Sequence, residues 1–329
     1  MFKLILSLTL IFIGLGLGYT IQKIALNKVV CCRFDLLRLR VLLQEVGILF
    51  FMSIAYLGAV WNIQINDLKI ITLPLFGLFA PLTGGFLALC AAKFLNLTKK
   101  QKGSMYSCGA FTNIGAIGGL VCYLFFGEEG FAFVVMYKLF EELGYFSIGF
   151  PIIKFISSEY TNNENKPSRL KYFFRDKFTV IFLLVIIIGS LLNIFGIKRP
   201  AFYETVISIF IPIGSLALLT SIGIAMKFDS IKKYVKECIA ISFIKFLIMP
   251  LILSTVAVFL GYGGIDDSLP LKVVIILSAM PVAFIALIPP TIYDLDVDLA
   301  NACWLVTTLL LLAILPILYL ITNVVMDVL

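Results

Sequence analysis

The sequence predicts an all-α membrane protein of ten transmembrane helices, arranged as two inverted five-helix repeats in which the fourth helix of each repeat is broken. Three observations predict it. Of the 329 residues, 61% are hydrophobic and only 14% charged, against about 45–50% and about 25% in a soluble domain. Ten apolar runs occur, each near the roughly 20 residues that cross a hydrocarbon core. The longest polar stretch, Ser157 to Lys177, divides those runs into five and five. An odd number of crossings per half turns the second half over in the bilayer, which is the arithmetic of an inverted repeat.

Such a composition leaves too little polar surface to coat a globule, so soluble enzymes and nucleic-acid modules are excluded as readings. The net charge of +7 does not point to nucleic acid, because the basic residues sit in short loops between apolar runs. The seven cysteines form no C-x-x-C pair, so no zinc ribbon or redox motif is indicated. Cys31 and Cys32, beside a basic loop, read as unmodified thiols. Histidine is absent, which removes the commonest general base, metal ligand and near-neutral proton carrier. No G-x-x-x-x-G-K-[ST] loop exists for ATP hydrolysis, and no midspan pair of Asp residues suits an intramembrane protease. No cofactor, no metal and no enzymatic activity are expected.

The spans run at about 4–22, 41–60, 70–94, 104–126, 130–153, 178–197, 201–224, 236–260, 271–291 and 301–321. The first follows Lys3 but lacks a small-x-small cleavage site, so it reads as a retained span. The organisation expected is a first repeat over 1–156, a linker over 157–177 and a second, inverted repeat over 178–329. The loops after spans one, three, five and seven hold nineteen Lys and Arg, whereas the opposite side holds only Lys3, Lys69, Lys198, Arg199 and Lys272. The positive-inside rule puts the richer loops and the linker in the cytoplasm and both termini outside. The bilayer expected is the cell (inner) membrane.

Span four contains Thr112-Asn113 and four glycines, Gly109, Gly115, Gly118 and Gly119, at mid-depth; span nine contains Ala279-Met280-Pro281 at a matching depth. Pro281 lacks an N–H and clashes with the preceding turn; Gly and Asn loosen a helix less forcefully. Spans interrupted at matching places in two halves point to a transporter binding site, formed here by Thr112, Asn113, Gly115, Gly118, Met280 and Pro281. Two half-helices starting there would each offer about +0.5 charge and free N–H donors, which favours an anion such as a small carboxylate.

Charges inside the bilayer form a second group. Lys138 stands three residues before Glu141 and four before Glu142, so the three can pair. At about 2.5–3.5 kcal/mol for each unpaired mid-membrane charge, they must pair, neutralise or line water. Glu141 or Glu142 carries a coupling proton, or the group is a structural ion pair. Lys245, about nine residues into span eight, lies too deep for its stem to reach water and is expected to face a cavity, a span-five carboxylate or the anionic cargo. Gln44 and Glu45 read as interfacial anchors. Asp294-Leu-Asp296-Val-Asp298 begins like a calcium loop but has Leu299 and Leu305 where Gly and Glu are required, so it reads as a helix connection.

These residues together resemble the auxin efflux carrier family, as a short, prokaryote-like member. Phe111-Thr112-Asn113-Ile114-Gly115-Ala116-Ile117-Gly118 is similar to its Phe-Ser-Asn-x-Gly-x-x-Gly. Pro212-Ile-Gly-Ser-Leu-Ala-Leu-Leu-Thr-Ser-Ile-Gly223 is similar to its Pro-x-x-x-Leu-Ala-x-x-x-x-Gly, and Ala279-Met280-Pro281-Val-Ala283 to its Ala-Met-Pro-x-Ala. The chain departs where Gly119, not Pro, follows Gly118, and where no Asn stands near Pro281. The resemblance implies that helices four and nine cross at their unwound centres. It implies a scaffold of spans one, two, six and seven, with the other spans moving as an elevator-like transport unit, and a homodimer. The function expected is secondary transport of a small organic anion, with an inverted-repeat cation/proton antiporter or a transporter-like sensor or scaffold as alternatives.

Overall fold

The computed structural model describes residues 2–26, 35–64, 67–157 and 177–325. Of the linker expected over 157–177, residues 158–176 lie outside the described residues, as does the pair Cys31-Cys32. Among the described residues the regular structure is helical throughout, with no named strand.

Among the described residues, eight helices are long and apolar enough to cross a membrane. They are α1 (Phe2–Leu26), α2 (Leu36–Trp61), α3 (Leu68–Phe94), α5 (Ile114–Ile156), α6 (Lys177–Ile194), α7 (Phe202–Ile224), α8 (Val235–Phe259) and α11 (Val297–Asn323). Shorter helices are α4 (Lys99–Ala110), α9 (Leu269–Ser278) and α10 (Ile288–Ile292). Large apolar side chains stand exposed on the long helices, Phe12, Phe86 and Phe259 among them, the reverse of a water-facing surface. The chain is an all-helical integral membrane protein.

The stretches expected as spans four and nine are not single helices. The first is α4, a non-helical step at 111–113 and the π-helical start of α5 (Ile114–Gly118). The second is α9, a non-helical step at 280–283 and a 3-10 turn, Phe284–Leu287, leading into α10. α4, α9 and α10 are each too short to span on their own. α5 is in turn 43 residues long because it continues from the end of one expected span through the next. Its helix is interrupted at Gly127, whose φ of 73° and ψ of −156° suit only a residue without Cβ.

Local chemistry fixes the helix ends. Thr98 and Gln101 form a reciprocal capping box before α4. Asp35 caps α2, and Asp296 caps α11 by accepting from the Leu299 N–H at 3.0 Å. Asp296 also accepts from the Tyr234 hydroxyl at 2.8 Å, so the rejected calcium-like run holds a helix start together.

The residues fall into two compact units. The first is Met1–Gln64, Gly115–Val135 and Lys177–Met226. In it α1 lies along α7, and Tyr56 stacks on Phe131 with centroids 5.5 Å apart. Arg199 grips Glu128 with both terminal nitrogens and the Gly58 carbonyl at 2.9 Å. The Glu45 carboxylate pairs with Lys177.

The second unit is Ile65–Ile114, Met136–Asp176 and Lys227–Leu329. Its core includes Trp304, set edge-on to Phe284 at 5.3 Å. α3 and α4 approach so closely at Gly84 and Gly109 that a Cβ on either would meet the carbonyl of the other. That contact places the end of α4, and the broken step after it, deep inside this unit.

Candidate functional site

The two breaks meet. The Asn113 N–H donates to the Pro281 carbonyl at 2.9 Å, and the Ala283 N–H donates to the Phe111 carbonyl at 3.0 Å. Thr112 and Val282 thereby form an isolated antiparallel bridge. The reason is local. Pro281 cannot continue a helix, and a helix broken in an apolar interior must find other partners for its backbone. Each broken helix supplies the other's.

Three further amides at the breaks find partners within the protein. The Thr112 N–H donates to the Tyr145 hydroxyl at 3.1 Å, the Ile114 N–H to the Thr112 carbonyl at 2.9 Å and the Val282 N–H to Thr307 Oγ1 at 3.2 Å. At 112–114 and 282–283 the amides are thus taken up within the protein rather than left free. A basic side chain, Lys245, stands at the crossing. Its ammonium, 1% exposed, donates to Thr112 Oγ1 at 2.7 Å and reaches the Phe111 carbonyl at 3.4 Å. Among the described residues Lys245 makes no ion pair, so its partner is the crossing rather than a span-five carboxylate.

The span-five charges pair as their spacing implied. Lys138 Nζ lies 2.8 Å from Glu142 and 3.4 Å from Glu141, across a turn at 139–140. Glu141 is buried at 2% exposure and accepts from the Tyr145 hydroxyl. Tyr145 therefore ties the charged group to Thr112, and Thr112 to Lys245. The sequence reading missed Tyr145, although it follows Glu141 by four residues, the spacing that places two side chains on one helix face. Tyr145 opens the π-helical segment Tyr145–Gly149, and Lys245 lies in another, Ile244–Ile248. A π-turn shifts the phase of a helix and is frequent at functional sites. Here two such turns aim their side chains at one residue.

The remaining expected site residues are placed as follows. Met280 is fully buried beside Pro281. Asn113 is 6% exposed, and none of the described residues hydrogen-bonds its carboxamide. Gly115 and Gly118 lie on the π-helical segment after the break, in the stretch that begins the first unit's share of α5. Among the described residues, no group of three or more His, Cys, Asp or Glu is arranged to hold a metal ion.

Fold and site define a membrane-spanning helical protein in which two interrupted helices are paired through their backbones beside a buried lysine. No family model matches the chain. It is similar to an uncharacterized transporter of Methanothermobacter thermautotrophicus, 25% identical over 254 residues, which is 77% of this chain and 78% of the relative. An uncharacterized transporter of Methanocaldococcus jannaschii is likewise 25% identical, over 252 residues, 75% of this chain and 78% of that protein.

Proposed function

We propose that the chain is a secondary membrane transporter that carries a small organic anion, with its site at the helix crossing. The observation that carries this reading is the buried Lys245 amino group on Thr112, at the point where the two broken helices pair their backbones inside an apolar unit. Irregular backbone at such depth is tolerated where it is enclosed by protein or lines a cavity, and broken helices in transporters mark the cargo site. Lys245 supplies charge for a carboxylate, and the Asn113 carboxamide supplies an uncommitted donor and acceptor. The similarity to two transporter-named proteins supports the same class.

The finer reading is a ten-span chain of two inverted repeats over 1–156 and 178–329, related to the auxin efflux carriers. Its termini are outside the cell (inner) membrane and its linker is cytoplasmic. The first compact unit, which gathers α1, α2, α6 and α7, supports their role as a scaffold and dimer face. The second, which holds the crossing, supports an elevator-like carrying role. Energy comes from a gradient, and the buried Glu141 favours protons as the coupling ion.

Purified protein reconstituted in liposomes tests this. Radiolabelled small carboxylates accumulate above passive leak when an inward proton gradient is imposed. Uptake confined to neutral or cationic solutes removes the anion reading.

A further inference from the structure

Two carboxylates stand side by side on α5, and their surroundings differ. Glu142 is bonded to Lys138 at 2.8 Å. Glu141 stands 3.4 Å from the same ammonium, is buried, and holds a further partner in the Tyr145 hydroxyl. That hydroxyl also touches the crossing. It accepts from the Thr112 N–H at 3.1 Å and lies 3.4 Å from the Thr112 carbonyl. A phenol has one hydrogen, so it cannot donate to Glu141 and to that carbonyl at once.

We propose that Glu141, rather than Glu142, exchanges the coupling proton, and that Tyr145 is the positioning residue that transmits its protonation state to the peptide at Thr112. The proposal rests on the transporter reading for what is coupled, but not for the switch itself.

The two states balance. With Glu141 ionised, its carboxylate holds the phenolic hydrogen, and the Thr112 carbonyl has only the Ile114 N–H, at 2.9 Å. When Glu141 takes a proton from water, its new O–H donates to the phenolic oxygen. The phenolic hydrogen then turns to the Thr112 carbonyl. One proton is gained from solvent, none leaves the tyrosine, and the only covalent bond formed is the carboxylic O–H. Thr112 carries Lys245 on its hydroxyl, and its chain neighbours are bonded to Pro281 and Ala283. A change in how the Thr112 peptide is held therefore reaches both broken helices.

The charged and titratable groups facing Glu141 are Lys138, Glu142, Tyr137 and Tyr145 on α5 and Lys245 on α8, with Cys108 of α4 beside Lys245. α3 meets this stretch through Gly77 and Leu78. Glu141 contacts both the Lys138 ammonium and, through Tyr145, a group bonded to the crossing.

Infrared difference spectra of the full chain in lipid vesicles, recorded between acid and alkaline pH, test the switch without any transport measurement. The expected result is a protonated-carboxyl band accompanied by a tyrosine C–O change, as the phenol passes from donor to Glu141 to donor to a carbonyl. E141Q removes both signals, and E142Q retains both. Y145F removes the tyrosine change and moves the carboxyl band to higher frequency, since its hydrogen bond is gone. A carboxyl band lost in E142Q and kept in E141Q, or a tyrosine change that survives Y145F, overturns the proposal. Should Y145F not fold, the two carboxylate variants and the wild-type tyrosine signal still decide it. In transporting vesicles, Y145F lowers proton-driven accumulation roughly tenfold more than it lowers substrate counterflow, a usual size for coupling between two sites. Equal loss of both activities contradicts a positioning role. An intact infrared pattern without any uptake leaves the switch standing and removes the transporter reading instead.

Discussion

The backbone N–H of Asn113 donates to the Pro281 carbonyl at 2.9 Å, joining two interrupted helices at the positions where neither can bond to itself. The pairing makes each break depend on the other. A change that restores helix in one stretch strips partners from its mate, which leaves buried backbone groups unsatisfied at about 1–3 kcal/mol each.

Lys245→Met separates charge from packing. Methionine fills similar space, and replacing a buried charge by an apolar side chain is often neutral or stabilising. We expect the thermal midpoint of the variant to stay level or rise. Anion uptake should fall by roughly 10- to 100-fold, the equivalent of a charged hydrogen bond worth about 1.5–3 kcal/mol. Parallel thermal denaturation and initial-rate uptake check both; unchanged uptake removes Lys245 from the cargo site.

Thr112→Val keeps the side-chain shape and deletes the acceptor for Lys245. The ammonium then loses its 2.7 Å partner, and the variant should be destabilised by about 1–3 kcal/mol. Thr112→Ser should recover most of that loss. Denaturation in detergent, with the two variants side by side, reads the difference.

Gly109→Ala tests what seats α4. A Cβ there would meet the Gly84 carbonyl and Ala88. We expect about 1–3 kcal/mol of destabilisation from overpacking. Gly16→Ala, where nothing lies within 4 Å, should be harmless or slightly stabilising, since alanine favours helix over glycine. Thermal melts of the pair give the comparison.

Much of this arrangement was legible in the sequence, for identifiable reasons. Pro281 announces a broken helix by its missing N–H, and Asn113 among glycines weakens another. Lys138, Glu141 and Glu142 reveal their pairing by spacing. Tyr145 was hidden because a tyrosine in an apolar run looks like ordinary packing, and its aim depends on a π-turn that leaves no mark in composition. The partner of Lys245 is a tertiary fact: depth showed that it must face something, but only the fold places it on Thr112. The anion argument also gained a second footing in Lys245, since the amides at 112–114 and 282–283 are bonded within the protein.

Topology is open to direct assay. Reporter fusions active only outside the cytoplasm, placed at the C-terminus and within 157–177, should be active at the first site and silent at the second. The reverse pattern inverts the orientation drawn from the basic loops.

The meeting of the two broken helices is tested most directly by a cross-link. Thr112 and Val282 are opposite residues flanked by the two backbone bonds, the pair type whose Cα atoms lie about 4.5 Å apart, within reach of a disulfide. In a chain with its native cysteines replaced, Thr112→Cys with Val282→Cys is oxidised in the membrane and then cut by protease in the linker 157–177. The account predicts that the two fragments run as one species until reductant is added. Fragments that separate without reductant, while each single variant is equally well folded, would contradict it.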